Sequence, residues 1–196
     1  IGLSCFKRTE NVDWELSLFN IALVVAFYES LHAYLFVRSR EVRREGKISI
    51  RVLDRGEMNA LALNSIFFRN AVVFLSEEID ERVLRHEEGH LNQFNYVYAL
   101  LISVAALLPL TSLVAVPVVA LGKLLLWKME RDADLYAYYK YNIMYNTQAE
   151  RPGSRLNRLL AWLFDSHPPD YVRKEEKYYD KKTSIFSLFV RDLVLQ

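Results

Sequence analysis

One cysteine in 196 residues, Cys5, leaves no partner for an internal disulfide and no thiolate cluster for a metal. Any metal must therefore be held by histidine and carboxylate. Net charge is nearly absent: 25 basic residues against 24 acidic ones give +1, so no overall field gathers nucleic acid or an acidic substrate. Histidines number four, and no internal repeat or low-complexity segment is visible. The first residues lack the cleavage pattern of a secretory signal. Apolar side chains are what the chain has in excess. They make up 52% of it, somewhat above the usual share for a soluble protein, in a length that suits one domain.

That excess is concentrated in two places. From Leu16 to Val37 the sequence reads LSLFNIALVVAFYESLHAYLFV, close to the ~20 residues a helix needs to cross a bilayer. Glu29 and His32 interrupt it, three residues apart, where they could meet on one helix face. A buried helix of a soluble protein is the competing reading. Arg38, Arg40, Arg43, Arg44 and Lys47 come directly after it. If the helix spans, this basic cluster places the chain beyond it in the cytoplasm. The second region, Leu91 to Gly122, has no charged residue, and its apolar character continues to Trp127. Pro109, Pro117 and the pair Thr111 and Ser112 divide it into two arms joined by a turn. A membrane hairpin, a re-entrant hairpin and a buried soluble hairpin all fit.

Between and after these regions the chain reads as a compact module. ISIRVLD (48–54) alternates as a half-buried strand does, and SIFFRNAVVFLS (65–76) suggests two short strands around Arg69 and Asn70. A helix is expected from Glu77 with Ser76 as its cap, another over about 123–145, and one more in SRLNRLLAWLFDSHPP, stopped by Pro168 and Pro169.

The stretch VLRHEEGHLN (83–92) carries His86 and His90, which on a helix project from one face and reach a single metal. Glu87 stands beside them, where a zinc peptidase keeps the glutamate that takes a proton from the attacking water. The bland alternative is a solvated helix face whose histidines pair with acidic neighbours. A third ligand decides between the two, since catalytic zinc usually keeps three from the protein. In KMERDADLYAYY, Glu130 and Asp134 lie four apart and share a face. Glu130 could complete a His, His, Glu set, and Asp134 could hydrogen-bond the far nitrogen of a liganding histidine. The proline-divided stretch between His90 and Glu130 returns the chain to the side it left.

Several separated motifs occur in the order found in one family. MNALAL (58–63), HEEGH (86–90), ERDAD (130–134) and HPPDYVR (167–173), with an arginine six residues after the histidine, resemble the HtpX and CAAX prenyl protease family of membrane zinc metallopeptidases, in the gluzincin group. The likeness spans about residues 45 to 175. It implies that His86, His90 and Glu130 bind one zinc ion and that Glu87 is the general base. It further implies that Asp134 supports a ligand, that His167 stabilises the oxyanion with Arg173 helping to place it, and that Asn59 and Ala60 lie on or near a substrate-pairing edge strand. Leu61 stands where the family commonly has phenylalanine, and one clear helix precedes the module where two are usual. A chain of 196 residues cannot enclose the chamber of a full CAAX protease, so HtpX-like quality control is the nearer analogy.

The expected fold is α+β and mainly helical: a zincin-like metallopeptidase core with a small β-sheet, an N-terminal apolar helix, and an apolar hairpin inserted between the two zinc-binding helices. The expected division is a membrane helix and basic linker over 1–44 and a metallopeptidase domain over 45–196, interrupted by the hairpin at 91–127. The expected activity is zinc-dependent endopeptidase hydrolysis of unfolded or membrane-adjacent polypeptides, from an integral membrane protein with its site on the cytoplasmic side. Membrane lipid is an expected partner, nucleic acid is not, and a homo-oligomer is left open. The alternative is a catalytically silent scaffold that keeps zinc only to hold its helices. A sensor-transducer peptidase would need an attached sensor domain. His32 is read as structural.

Overall fold

The computed structural model describes residues 14–56, 59–68, 70–107 and 115–195. Cys5, Met58, Arg69, Pro109, Thr111 and Ser112 lie outside the described residues. Over the described residues the molecule is mainly helical, with one four-stranded sheet and an apolar helix at its N-terminal side.

Helix α1 (Trp14–Arg38) has 25 residues, about 37 Å at the α-helical rise, and is long and apolar enough to cross a bilayer. Leu18, Phe19, Leu23 and Phe27 are exposed along it. Its C-terminal half packs beside the sheet: Tyr28 Oη donates to the Asn64 carbonyl, and the rings of Phe36 and Phe68 meet at 5.2 Å. Glu29 and His32 find separate partners. The Glu29 carboxylate accepts from the Ile66 N–H at 2.9 Å, and His32 Nδ1 lies 2.8 Å from the Tyr28 carbonyl.

The basic segment that reads as a linker forms a strand, β1 (Arg40–Glu45), paired antiparallel with β2 (Ile48–Val52). Its charges are matched across the fold, Arg43 with Glu81 and Glu45 with Arg85. β3 (Ala60–Leu63) and β4 (Ala71–Phe74) complete the sheet in the order β1-β2-β4-β3, with β2 and β4 parallel. Of the two strands expected in 65–76, only the second forms. The first lies earlier, at β3, and residues 65–68 bend instead. β4 is buried on both faces, which explains its unbroken run Ala-Val-Val-Phe. Ile50, Val52, Val72 and Phe74 pack with Leu84, while Leu63, Ala71 and Val73 pack with Leu35 of α1.

α2 (Glu81–His90) starts four residues later than expected, because Asp80 and not Ser76 caps it by accepting the Arg82 N–H. α3 (Phe94–Leu107) then runs antiparallel to α1: Ser17 Oγ donates to the Ala106 carbonyl, and the Tyr28 and Tyr98 rings meet at 5.8 Å. Its 14 residues cover about 21 Å, less than the ~30 Å hydrocarbon core. α4 (Ala115–Tyr141) returns the chain, with Pro117 tolerated in its first turn, where no intrahelical donor is lost. Asn142 ends it at φ 56 in the left-handed region that asparagine accepts.

The remaining elements close over α4: α5 (Arg155–Phe164, capped by Ser154), the single turn α6 (Asp170–Arg173), a 3-10 turn (Glu176–Tyr179), and α7 (Ile185–Val190) leading into a π turn. Trp127, Trp162, Tyr178 and Leu188 form their core. Asp192 is buried there as an acceptor for Trp162 Nε1 at 2.9 Å and Tyr171 Oη at 2.8 Å.

Candidate metal centre

α2 and α4 approach each other at Gly89, which faces Ala133. This contact brings His86 and His90 from one helix to Glu130 and Asp134 from the other. His86 Nε2 and His90 Nε2 lie 3.1 Å apart. Around Glu130 Oε2 stand His167 Nε2 at 3.1 Å, His86 Nε2 at 3.3 Å and His90 Nε2 at 3.5 Å. Glu130 Oε2 is itself buried and, among the described residues, meets no donor in hydrogen-bond geometry. An orphaned carboxylate oxygen is costly in a folded protein. A ring of imidazole nitrogens facing it is what a cation would satisfy. Among the described residues, two sets of donor atoms lie within 4.8 Å of one another and could hold a metal ion: His86, Glu130 and His167, and His86, Glu87 and His90.

The outer nitrogens are fixed by a second layer. Asp134 is buried; its Oδ1 lies 2.8 Å from His86 Nδ1 and accepts from Arg173 Nη2, while its Oδ2 accepts from Arg173 Nε and Tyr178 Oη. His90 Nδ1 lies 2.9 Å from Gln93 Oε1, and the Gln93 amide in turn donates to the Met129 carbonyl. With both Nδ1 atoms donating outward, both Nε2 atoms turn toward Glu130. His167 follows α5 on a short strap, its Nδ1 2.7 Å from Ser166 Oγ, and fully buried Pro168 and Pro169 hold that strap in place.

The electrostatics favour positive charge at this point. Burial pulls the His86 imidazole down, but the hydrogen bond with Asp134 and the negative charge of Glu130 facing it outweigh it and hold the group up at about 10. Burial likewise raises the Asp134 carboxyl, yet His86 and Arg173 bring it to about 2. Glu130, pushed up by burial, is held well below the usual carboxylate range by His86 and His90. Glu87 goes the other way: burial raises it, with His90 and His86 opposing. Burial lowers the His167 imidazole. A proton or a metal ion answers the same demand.

Glu87 Oε2 accepts the N–H of Ala62 on strand β3 at 2.9 Å. β3 is an edge strand, and Ala62, in register with Val72 of β4, turns its N–H outward to Glu87. Ala60 is buried, and its N–H bonds the Asn59 side chain. Asn59 lines a cleft of about 340 Å³ together with His86, Glu87, His167 and Arg173. The segment after α4, from Ile143 to Asn146, forms another part of its wall. The structure thus gathers His86, Glu87, His90, Glu130, Asp134, His167 and Arg173 into one site, with Asn59 at its rim and Ala60 in the sheet behind. His32 lies apart, in α1.

Several working residues escaped the sequence. Gln93 is three residues beyond His90, but nothing in a polar side chain at that spacing announces its role. Tyr178 reaches Asp134 from the far end of the chain. Glu88, inside HEEGH, faces away from the centre and is buried among Arg85, Tyr136, Lys140 and Tyr141, all four donating to it. Burial raises that carboxyl, and these donors, Lys140 and Tyr136 first, hold it down at about 2.

In comparisons with known proteins the chain matches no family model, no curated protein and no solved structure.

Proposed function

We propose that this chain is a membrane-embedded, zinc-dependent endopeptidase of the HtpX-like kind, with a zincin-like core, cleaving extended segments of unfolded or membrane-adjacent proteins. The observation that carries the reading is the buried, unbonded Glu130 Oε2 within 3.1–3.5 Å of three imidazole nitrogens, beside a cleft that contains Glu87. His86, His90 and Glu130 would hold the zinc. When bound, zinc supplies Lewis acidity that polarises a carbonyl and makes water a nucleophile near neutral pH.

The chain's own residues supply the rest. Glu87, raised by burial, takes a proton from the attacking water at Oε1 while the Ala62 N–H steadies Oε2, then returns it to the leaving amine nitrogen. His167 donates from Nε2 to the carbonyl oxygen as negative charge develops there. Asp134 keeps the His86 ring in register, and Arg173 and Tyr178 keep Asp134 in place. α1 anchors the module in the bilayer, and an extended polypeptide lies in the cleft beside Asn59.

One observation favours a second reading, the silent zinc-held scaffold. His167 Nε2 stands as close to Glu130 as the other imidazoles do and could close a fourth ligand position, as in structural zinc sites. The presence of Glu87 speaks for the peptidase, since a structural site has no use for a general base.

The test is cleavage of an unfolded, casein-like protein by detergent-purified, zinc-loaded chain, with Glu87→Gln beside it and zinc content measured in both. Zinc in both and turnover only in the unmutated chain supports the peptidase. Zinc in both and cleavage in neither favours the scaffold, and no zinc in either removes both readings.

A further inference from the structure

α5 is inverted relative to an ordinary surface helix. The side it turns inward carries Arg158 and Trp162, while the side turned out carries Leu156, Leu160, Leu163 and Phe164. Phe164 is 81% exposed and Leu156 63%. Four large apolar side chains on one face with no partner among the described residues call for an apolar neighbour.

The position of α5 along the apolar helices identifies that neighbour. Lys123 Nζ donates to the Asp165 carbonyl at the end of α5. The residue before Lys123, Gly122, faces Leu100 of α3: a Cβ there would lie 3.4 Å from Leu100 Cδ1. Two residues earlier in α3, the Tyr98 ring meets Tyr28 of α1, and its hydroxyl lies 3.2 Å from the Ile66 N. Phe164 at the end of α5 and Phe67 next to Ile66, the latter 76% exposed, therefore stand near one level, that of Tyr28 in α1. Glu10, Asp13 and Glu15 mark the polar end of the apolar run in the sequence. Counting ~20 residues of hydrocarbon span from Leu16 reaches Leu35, so Tyr28 would lie about 10 Å below that membrane surface. Side chains at that level reach into the acyl chains of that leaflet, about as deep as an interfacial helix buries its apolar face.

Charge agrees with this placement. Along α4 beyond Lys123, a groove is lined by Lys128, Lys181 and Lys182, with Arg131 and Asp132. Lys128 is already paired with Asp132, and the remaining lysines, Lys181 and Lys182, suit an anionic headgroup layer above an apolar face.

We propose that Leu156, Leu160, Leu163 and Phe164 form a lipid-contacting face that docks the C-terminal end of α5 into the same leaflet as Phe67, beneath anionic headgroups. This rests on α1 crossing the bilayer and not on zinc or on peptidase activity. It fixes the strap that carries His167, three residues past Phe164, at the membrane surface.

The test uses the full chain with Cys5→Ser and one further substitution, Phe164→Cys, Phe27→Cys or Lys47→Cys. Each is labelled with an environment-sensitive fluorophore and reconstituted into vesicles of phosphatidylcholine and phosphatidylglycerol containing spin-labelled lipid. Position 27 reports α1, and position 47, exposed in the turn between β1 and β2, reports water. The expected result is quenching at 164 several-fold above that at 47, with blue-shifted emission. Quenching at 27 with position 164 behaving like 47 overturns the docking while leaving α1 in the membrane. Absence of quenching at 27 overturns the crossing and the docking together. Disulfide cross-linking of two copies of the unlabelled Phe164→Cys chain, with no quenching at 164 in the labelled one, assigns the face to a second copy and overturns the proposal. Failure of the zinc peptidase reading shows in the Glu87→Gln assay and leaves each of these outcomes unchanged.

Discussion

Gly89 and Ala133 stand so close that a Cβ added to Gly89 would fall 2.7 Å from the Ala133 Cα and 3.0 Å from its carbonyl oxygen. The atoms in the way are backbone, so they yield only if α2 and α4 separate. Gly89→Ala is expected to move His86 and His90 away from Glu130 and to cost about 1–3 kcal/mol in stability. Zinc content per chain and thermal unfolding would show both effects. Unchanged zinc affinity would mean that the helices close without this contact.

Asp134→Asn replaces an acceptor that serves His86, Arg173 and Tyr178 at once. It leaves the Arg173 guanidinium without its buried counter-charge, a loss on the order of 3–5 kcal/mol. Gln93→Ala frees His90 without leaving a buried charge unpaired, and a drop of about tenfold or more in zinc affinity with a smaller stability loss of about 1–3 kcal/mol is expected. Titration with a competing chelator separates the two variants.

His167→Ala distinguishes the two readings of the site. In the peptidase, the variant keeps its zinc and loses about 10²–10³ in kcat, as when an oxyanion donor is removed. In the scaffold, the fourth ligand is lost, and zinc retention falls before any question of turnover arises. Zinc content and kcat are measured on the same preparation.

Glu88 is expected to matter for stability and not for chemistry. Its folded-state carboxyl, at about 2, lies below the ordinary value of 4.5. Its contribution is therefore complete above pH 4.5 and is lost as pH falls from there toward 2. Glu88→Gln should cost about 2 kcal/mol at neutral pH, flatten the acid limb of a stability profile, and leave zinc stoichiometry unchanged. Denaturant melts of both proteins at several pH values test this.

The sequence showed most where chemistry is written in short spacings. The four-residue interval of His86 and His90, and again of Glu130 and Asp134, places pairs on helix faces whatever surrounds them. The apolar run of α1 is equally local. β1 was not legible, because Arg40 to Glu45 is a run of charges whose strand form depends on Glu81 and Arg85 elsewhere in the chain. The start of α2 was misplaced because Ser76 and Asp80 are both good caps and only the packing of Val83 and Leu84 against the sheet selects one. Gln93, Tyr178 and Glu88 stayed hidden for a related reason: each acts through a partner brought near by tertiary packing.

The hydrogen bond from the Ala62 N–H to Glu87 ties the outer edge of the sheet to the group that would accept a proton. A charged carboxylate draws that amide hydrogen far more strongly than a neutral one does. The chemical shift and exchange rate of one backbone amide are thus a built-in indicator of the charge on Glu87. The protonation of the base can be followed in the resting protein by watching a residue whose side chain is a single methyl group.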